Sequence, residues 1–165
     1  MQTSHKYTIG MGILAMALGM IPLLAVLGIL PTRPHQPGDS PAWIGAAIGL
    51  MFFLAGVSII VQSLTNPNYP NSGPSATSPL TARILYDVLG LTIAVLLVSI
   101  FTWVAFGSGP REFTMSGGDG SSFAATHASP TMGRIAFGFG AVLGWLAVGW
   151  MSVTAIRRWF PRRSD

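Results

Sequence analysis

The chain is predicted to be an all-α membrane protein, a bundle of four transmembrane helices with both termini in the cytoplasm. Half of its 165 residues are hydrophobic and only 8% are Asp, Glu, Lys or Arg, whereas soluble domains carry roughly 25% charged residues. A membrane-spanning helix needs about 20 consecutive apolar residues. Four stretches are close to that length or longer, and none contains a charged residue or a histidine: 9–30, 42–61, 88–106 and 135–156.

With their flanking residues, these stretches predict helices over about residues 8–30, 42–63, 83–106 and 134–157 of a single integral membrane domain, 1–165. The remaining segments are two outer loops, 31–41 and 107–133, a cytoplasmic loop, 64–82, and a basic tail, 157–165. A cleaved secretory signal is the alternative for the first stretch, because Ala15 and Ala17 resemble a small-residue cleavage site. The apolar run continues well beyond them, which favours a retained first helix.

The distribution of basic residues predicts the orientation. Six cations fall on the side of the termini and three on the other side, and membrane proteins carry their excess of Lys and Arg in the cytoplasm. The predicted location is therefore the cell membrane, as a multi-pass protein of a bacterial inner membrane, and the absence of an N-glycosylation sequon agrees with it. The inner cations are Lys6, Arg83, Arg157, Arg158, Arg162 and Arg163, and the outer ones are Arg33, Arg111 and Arg134.

Two further patterns concern the organisation of the chain. Both the second and the fourth stretch follow a Ser-Pro pair and carry glycines, so a duplicated helical hairpin is one interpretation and simple helix capping is the other. In the outer segment, residues 112–116 alternate between polar and apolar side chains and precede a glycine-rich run. This alternation predicts a short strand or a hairpin arm.

Arg83 and Asp87 are the first candidate pair. They lie one helical turn apart, on one face of the third helix and near its predicted start. There the positive end of the helix dipole stabilises an anion. A helix-end ion pair is the favoured interpretation, and a functional acid is the alternative, because ionisable groups inside membrane spans commonly mark ion pathways.

Small residues repeat at helix-packing spacing. Such faces let two helix backbones approach closely, and helix association in lipid depends on this packing. They are predicted to pack helices within the bundle, with contact to another subunit as the alternative. The candidate packing residues are Gly45 and Gly49 in the second helix, and Ala136, Gly140 and Gly144 in the fourth.

The C-terminal end combines arginines with aromatic rings, a composition typical of the membrane interface. Arginines there attract anionic headgroups, and tryptophan lies at headgroup depth. The lipid bilayer and its anionic lipids are therefore predicted partners, whereas no basic surface with stacked aromatic residues indicates nucleic acid. The predicted lipid-anchoring residues are Arg157, Arg158, Trp159, Arg162 and Arg163.

The residues predict neither catalysis nor a cofactor. Cysteine is absent, no span holds a histidine that would activate a serine, and the acids and histidines of the outer loops match no zinc or calcium pattern. We therefore expect no enzyme and no metal site. The leading hypothesis is an accessory or scaffold subunit that packs through its small-residue faces against itself or other membrane subunits. The alternative is a small oligomeric transporter or channel with Asp87 at its cytoplasmic mouth.

Overall fold

A computed structural model describes residues 2–31, 41–65, 79–107, 113–117, 124–128 and 130–160. Its four helices are each long and apolar enough to cross a membrane, as predicted. They are α1 (Gln2–Val26), α2 (Ala42–Thr65), α3 (Leu80–Phe106) and α4 (Pro130–Trp159). The membrane-spanning part is entirely helical, which confirms the fold class at that level.

Each helix runs antiparallel to the next. Gly12 of α1 lies against Gly56 of α2, and the rings of Trp43 in α2 and Trp103 in α3 meet edge to face with centroids 6.0 Å apart. Consequently the start of α1, the end of α2, the start of α3 and the end of α4 lie at one end of the bundle. We call this end the inner end, because the charge distribution predicts that it faces the cytoplasm.

The bundle is open rather than closed. α1 packs most extensively on α2, and α3 on α4, while α2 and α3 join the two hairpins. Within the described residues, α1 and α4 make no extensive contact with each other. The pairing agrees with a duplicated hairpin, although duplication itself stays a prediction. The other described residues leave the outer sides of α1 and α4 uncovered.

α1 occupies a different range from the predicted 8–30. It begins at Gln2, and it ends at Val26 because Gly28 takes a left-handed conformation, φ +72°. The amide of Ile29 donates to the Leu24 carbonyl, and the amide of Gly28 donates to the Ala25 carbonyl. These two bonds form the Schellman motif, which satisfies the last carbonyls of a helix and depends on a residue that tolerates positive φ.

The segment between α3 and α4 contains an antiparallel two-stranded hairpin, β1 (Phe113–Gly117) and β2 (Ala124–Ala128). Phe113 pairs with Ala128, and Gly117 pairs with Ala124. Residues 113–116 of the stretch predicted to form a hairpin arm thus lie in β1. The described chain therefore adds a small sheet to its four helices.

Candidate functional site

Asp87 lies deeper in its helix than the sequence interpretation placed it. The prediction started α3 at residue 83, but the helix begins at Leu80, directly after Pro79. Asp87 is thus about 10 Å along the axis from the first residue, at about 1.5 Å of rise per residue. The favourable dipole effect fades within the first turn. That effect therefore does not account for the acid, which must be stabilised by other groups.

Those groups come from α4. The indole Nε1 of Trp159 donates a hydrogen bond of 3.1 Å to Oδ2 of Asp87, and Nη1 of Arg158 lies 3.6 Å from Oδ1. The Asp87 side chain is 14% exposed and that of Arg158 is 66% exposed. We call Asp87, Arg158 and Trp159 the inner clamp, because they tie the last turn of α4 to α3 at the inner end.

Arg83, the predicted partner of Asp87, lies one turn earlier on the same helix face. Its Nε is buried and has no hydrogen-bond partner among the described residues. The ion pair that the structure describes for Asp87 is therefore made across helices, with Arg158, instead of within α3. Sequence spacing identified Arg83 because helical neighbours are readable from the sequence, whereas contacts between α3 and α4 are not.

A groove of about 610 Å³ opens beside the inner clamp. α3 contributes residues to its floor, while α2 and α4 form the walls. We call it the inner groove. It is lined by Ala55, Ser58, Ile59 and Gln62 of α2, by Tyr86, Asp87, Gly90, Leu91 and Ile93 of α3, and by Trp150, Met151, Thr154, Ala155 and Arg158 of α4.

The lining of the inner groove changes along its length. Gln62, Tyr86 and the inner clamp lie at the inner end, and Gln62 Nε2 is 3.5 Å from the Tyr86 hydroxyl. Towards the middle of the bundle the lining becomes mainly apolar. At Gly90 a Cβ atom would meet nothing within 4 Å, so no side chain of the described residues fills the groove there. The groove has the character of an amphiphile site: polar at one end and apolar at the other.

The hairpin of α1 and α2 is held by two pairs of glycines. Gly12 lies against Gly56, and Gly19 against Gly49, so that a Cβ atom at Gly19 would come 2.5 Å from the Gly49 carbonyl oxygen. The glycines are seven residues apart on each helix, the repeat of a left-handed helix pair. The four-residue spacing that predicts the packing residues does not include Gly12 or Gly56. The seven-residue repeat was the available signal.

The predicted packing residues take different positions. Gly49 belongs to the α1–α2 contact just described. A Cβ atom added at Gly45 would lie 3.4 Å from Cγ2 of Val26, which is an ordinary van der Waals distance. In α4, Gly144 lies against Val98, with 2.5 Å between the ideal Cβ position and Cγ2, and Gly140 faces the ring of Phe101 at 3.3 Å. Ala136 is exposed. The glycines that lie against another helix thus pack helices of the same chain together.

Hydroxyl groups inside the spans bond mostly to their own helices. Thr92, Ser99 and Thr102 donate to the carbonyls of Val88, Val95 and Val98, four residues earlier in each case. Ser152 and Thr154 do the same in α4. These bonds satisfy the hydroxyl donors locally. Thr102 also accepts a 3.1 Å hydrogen bond from Nε1 of Trp145, which links α3 to α4.

The predicted lipid-anchoring residues lie at the end of α4. Arg157 and Arg158 occupy its last turn and are exposed, while Trp159 is drawn to Asp87. Phe160 follows and is 74% exposed. Arg162 and Arg163 lie outside the described residues. The exposed arginines and Phe160 have the composition of an interfacial anchor, whereas Trp159 holds α4 to α3 through its bond to Asp87.

Among the described residues, no three histidine, aspartate or glutamate side chains lie together as a metal site requires. Comparisons of the chain with protein-family models, with curated proteins and with solved structures found no match.

Proposed function

We propose that the chain is a non-enzymatic accessory or scaffold subunit of a membrane complex. It would lie in a bacterial inner membrane with its inner end in the cytoplasm. The observation that carries the proposal is the open bundle: each helical hairpin is tightly packed within itself, yet no other described element covers the outer sides of α1 and α4. Such a chain offers a preformed helical surface to another membrane subunit or to a second copy of itself.

The outer side of α4 is the proposed contact surface. α4 has the lowest mean hydropathy of the four spans, although the buried share of its residues is the same as that of α3. A helix that faces only lipid is expected to be strongly apolar. Leu146 on this side is 67% exposed, and a Cβ atom at Gly149 would find open space. Small residues beside apolar ones are typical of helix contacts in membranes. The glycines packed inside the hairpins are unavailable for this purpose.

The transporter alternative receives less support from the same residues. Both carboxylate oxygens of Asp87 are occupied by side chains of α4, and the five hydroxyl groups discussed above are bonded to helix carbonyls. A path for ions needs polar groups along the full span. In the inner groove the ionisable groups are confined to the inner end.

Copurification tests the proposal. A tagged chain extracted in a mild detergent, followed by native mass spectrometry, is expected to carry a defined partner subunit or a second copy. Gly149→Leu places a large side chain on the proposed surface and should reduce copurification at least fivefold. Gly10→Leu is the matched control, because Gly10 also has open space around it but lies on α1.

Two outcomes contradict the proposal. One is a monomer that carries no partner under conditions that preserve other complexes of the same membrane. The other is equal copurification by both glycine variants. Proton flux in liposomes, followed with an enclosed pH dye, tests the transporter alternative: a flux that Asp87→Asn abolishes would support transport instead.

A further inference from the structure

We propose that the inner groove holds one anionic phospholipid, with its phosphate at Arg158 and one acyl chain along the apolar floor. This inference goes beyond the proposed accessory role, because it concerns a face of the molecule other than the outer side of α4. The volume of the groove, about 610 Å³, lies within the roughly 300–1,000 Å³ of sites that bind small ligands.

The length of the inner groove favours a lipid over a partner helix. Its lining runs from Ala55 to Gln62 on α2 and from Trp150 to Arg158 on α4, which is about 10–12 Å along each axis. One leaflet contributes roughly half of a hydrocarbon core about 30 Å thick. The groove thus lies within a single leaflet, whereas the groove for a spanning helix would continue across both.

The middle of the groove suits an acyl chain. Ile59 and Trp150 lie on opposite walls and Leu91 on the floor. These side chains offer apolar surface that an acyl chain can contact in many conformations. Gly90 leaves the floor open at this level. A flexible chain fills such a space by dispersion contacts, which are small individually and substantial in sum.

The inner end of the groove suits a phosphate. The Arg158 guanidinium is mostly exposed, and its Nη1 lies 3.6 Å from Oδ1 of Asp87. A guanidinium has five N–H donors in a planar fork that matches two phosphate oxygens. The Asp87 side chain is 14% exposed and both its carboxylate oxygens lie against α4 side chains. The exposed charge at this end of the groove is therefore that of Arg158, which is complementary to an anionic headgroup.

The experiment uses the full chain in lipid nanodiscs that contain equal amounts of phosphatidylglycerol and phosphatidylcholine with identical acyl chains. After gentle extraction, native mass spectrometry counts the lipids that each protein molecule retains. We expect one retained phosphatidylglycerol in preference to phosphatidylcholine. Arg158→Gln should lower that preference about fivefold, the effect of one interfacial arginine. Lys6→Gln is the matched control, because Lys6 is an exposed cation at the same end of the bundle on a helix that does not line the groove, and it should leave the preference unchanged.

A second pair of variants tests the acyl-chain part of the groove. Gly90→Leu fills the floor without meeting a neighbouring atom at its Cβ position, so it should fold and lose both lipids. Gly10→Leu, on a helix that does not line the groove, should retain them. Helix content by circular dichroism confirms that both variants are folded.

Equal retention of the two lipids by the wild-type chain overturns the proposal, as does unchanged retention in Gly90→Leu. If Gly90→Leu keeps its lipid but loses a copurifying protein, the groove receives a partner helix and the proposal is wrong. If Gly149→Leu keeps its partner while the wild-type chain retains its phosphatidylglycerol, the accessory role alone is contradicted, so the two proposals fail separately.

Discussion

Trp159 donates its indole N–H to the carboxylate of Asp87 across 3.1 Å, and this bond joins the last turn of α4 to the second turn of α3. The contact explains how a membrane helix carries an acid that the helix dipole no longer stabilises. A hydrogen bond to a charged acceptor is stronger than one between neutral groups. Trp159 therefore has a structural function that its predicted role as a lipid anchor does not indicate.

Trp159→Phe keeps an aromatic ring but removes the indole N–H donor. We expect it to lower the free energy of unfolding by about 1.5–3 kcal/mol, the range for a hydrogen bond to a charged group. Reversible unfolding in mixed micelles of a mild detergent and SDS measures the change. Trp150→Phe is the control, because Trp150 is 76% exposed. Equal losses in the two variants would show that the indole bond adds no stability.

Asp87→Asn separates the ion pair from the hydrogen bond. An asparagine oxygen still accepts from Trp159, but the bond to a neutral acceptor is weaker by about 1 kcal/mol. The variant also loses the attraction to Arg158, which contributes below about 1 kcal/mol because that guanidinium is 66% exposed and solvent screens the pair. We therefore expect a total loss of about 1–2 kcal/mol. Asp87→Leu also removes the acceptor and should be clearly more destabilising. The same unfolding measurement ranks the two variants, and the reverse order would contradict this account of the clamp.

Gly19→Ala should push α1 and α2 apart. The added Cβ would lie 2.5 Å from the Gly49 carbonyl oxygen and 2.6 Å from the Phe53 nitrogen. Both are backbone atoms, so relief requires the helices to move apart, at a cost of about 1–3 kcal/mol for overpacking. Gly10→Ala, in open space on the same helix, should be neutral or slightly stabilising. Unfolding curves that coincide for the two variants would refute the close glycine contact.

Much of the fold could be predicted from the sequence because the physics of a membrane span is local. Length, apolarity and the lack of charge identify four spans, and the polar–apolar alternation at 112–116 identifies the strand before the glycines. The ends of the helices were harder to predict. The polar residues before α1 join the helix, while Gly28 ends it earlier than apolarity indicates.

The candidate site was less predictable because its contacts join distant parts of the chain. Asp87 was recognised as unusual, but its partners lie in α4, about seventy residues away. Spacing along α3 pointed to Arg83 instead. The inner groove depends on how α2, α3 and α4 diverge, and no pattern within one helix encodes that. Gly90 was visible as a small residue, yet only the packing of the helices shows that no described side chain covers it.

Gly28→Ala tests the end of α1. Gly28 has φ +72°, and a left-handed conformation costs a residue with a Cβ atom roughly 1–2 kcal/mol. Space is not the cause, since a Cβ atom there would meet nothing within 4 Å. The prediction is therefore a stability loss of about that size, measured by unfolding in micelles. Gly28→Asn should lose less, because asparagine tolerates this conformation better, and an equal loss in both variants would point to another cause.

Gly144→Ala tests the second hairpin, where the opposing atoms belong to a side chain. The new Cβ would lie 2.5 Å from Cγ2 of Val98, and valine has few rotamers in a helix with which to withdraw. We expect a loss of about 1–3 kcal/mol in unfolding free energy. Val98→Ala removes the obstructing methyl groups, so the double variant should recover part of that loss. A double-mutant cycle isolates this coupling. Strictly additive losses would show that Gly144 and Val98 do not form the contact that sets the spacing of α3 and α4.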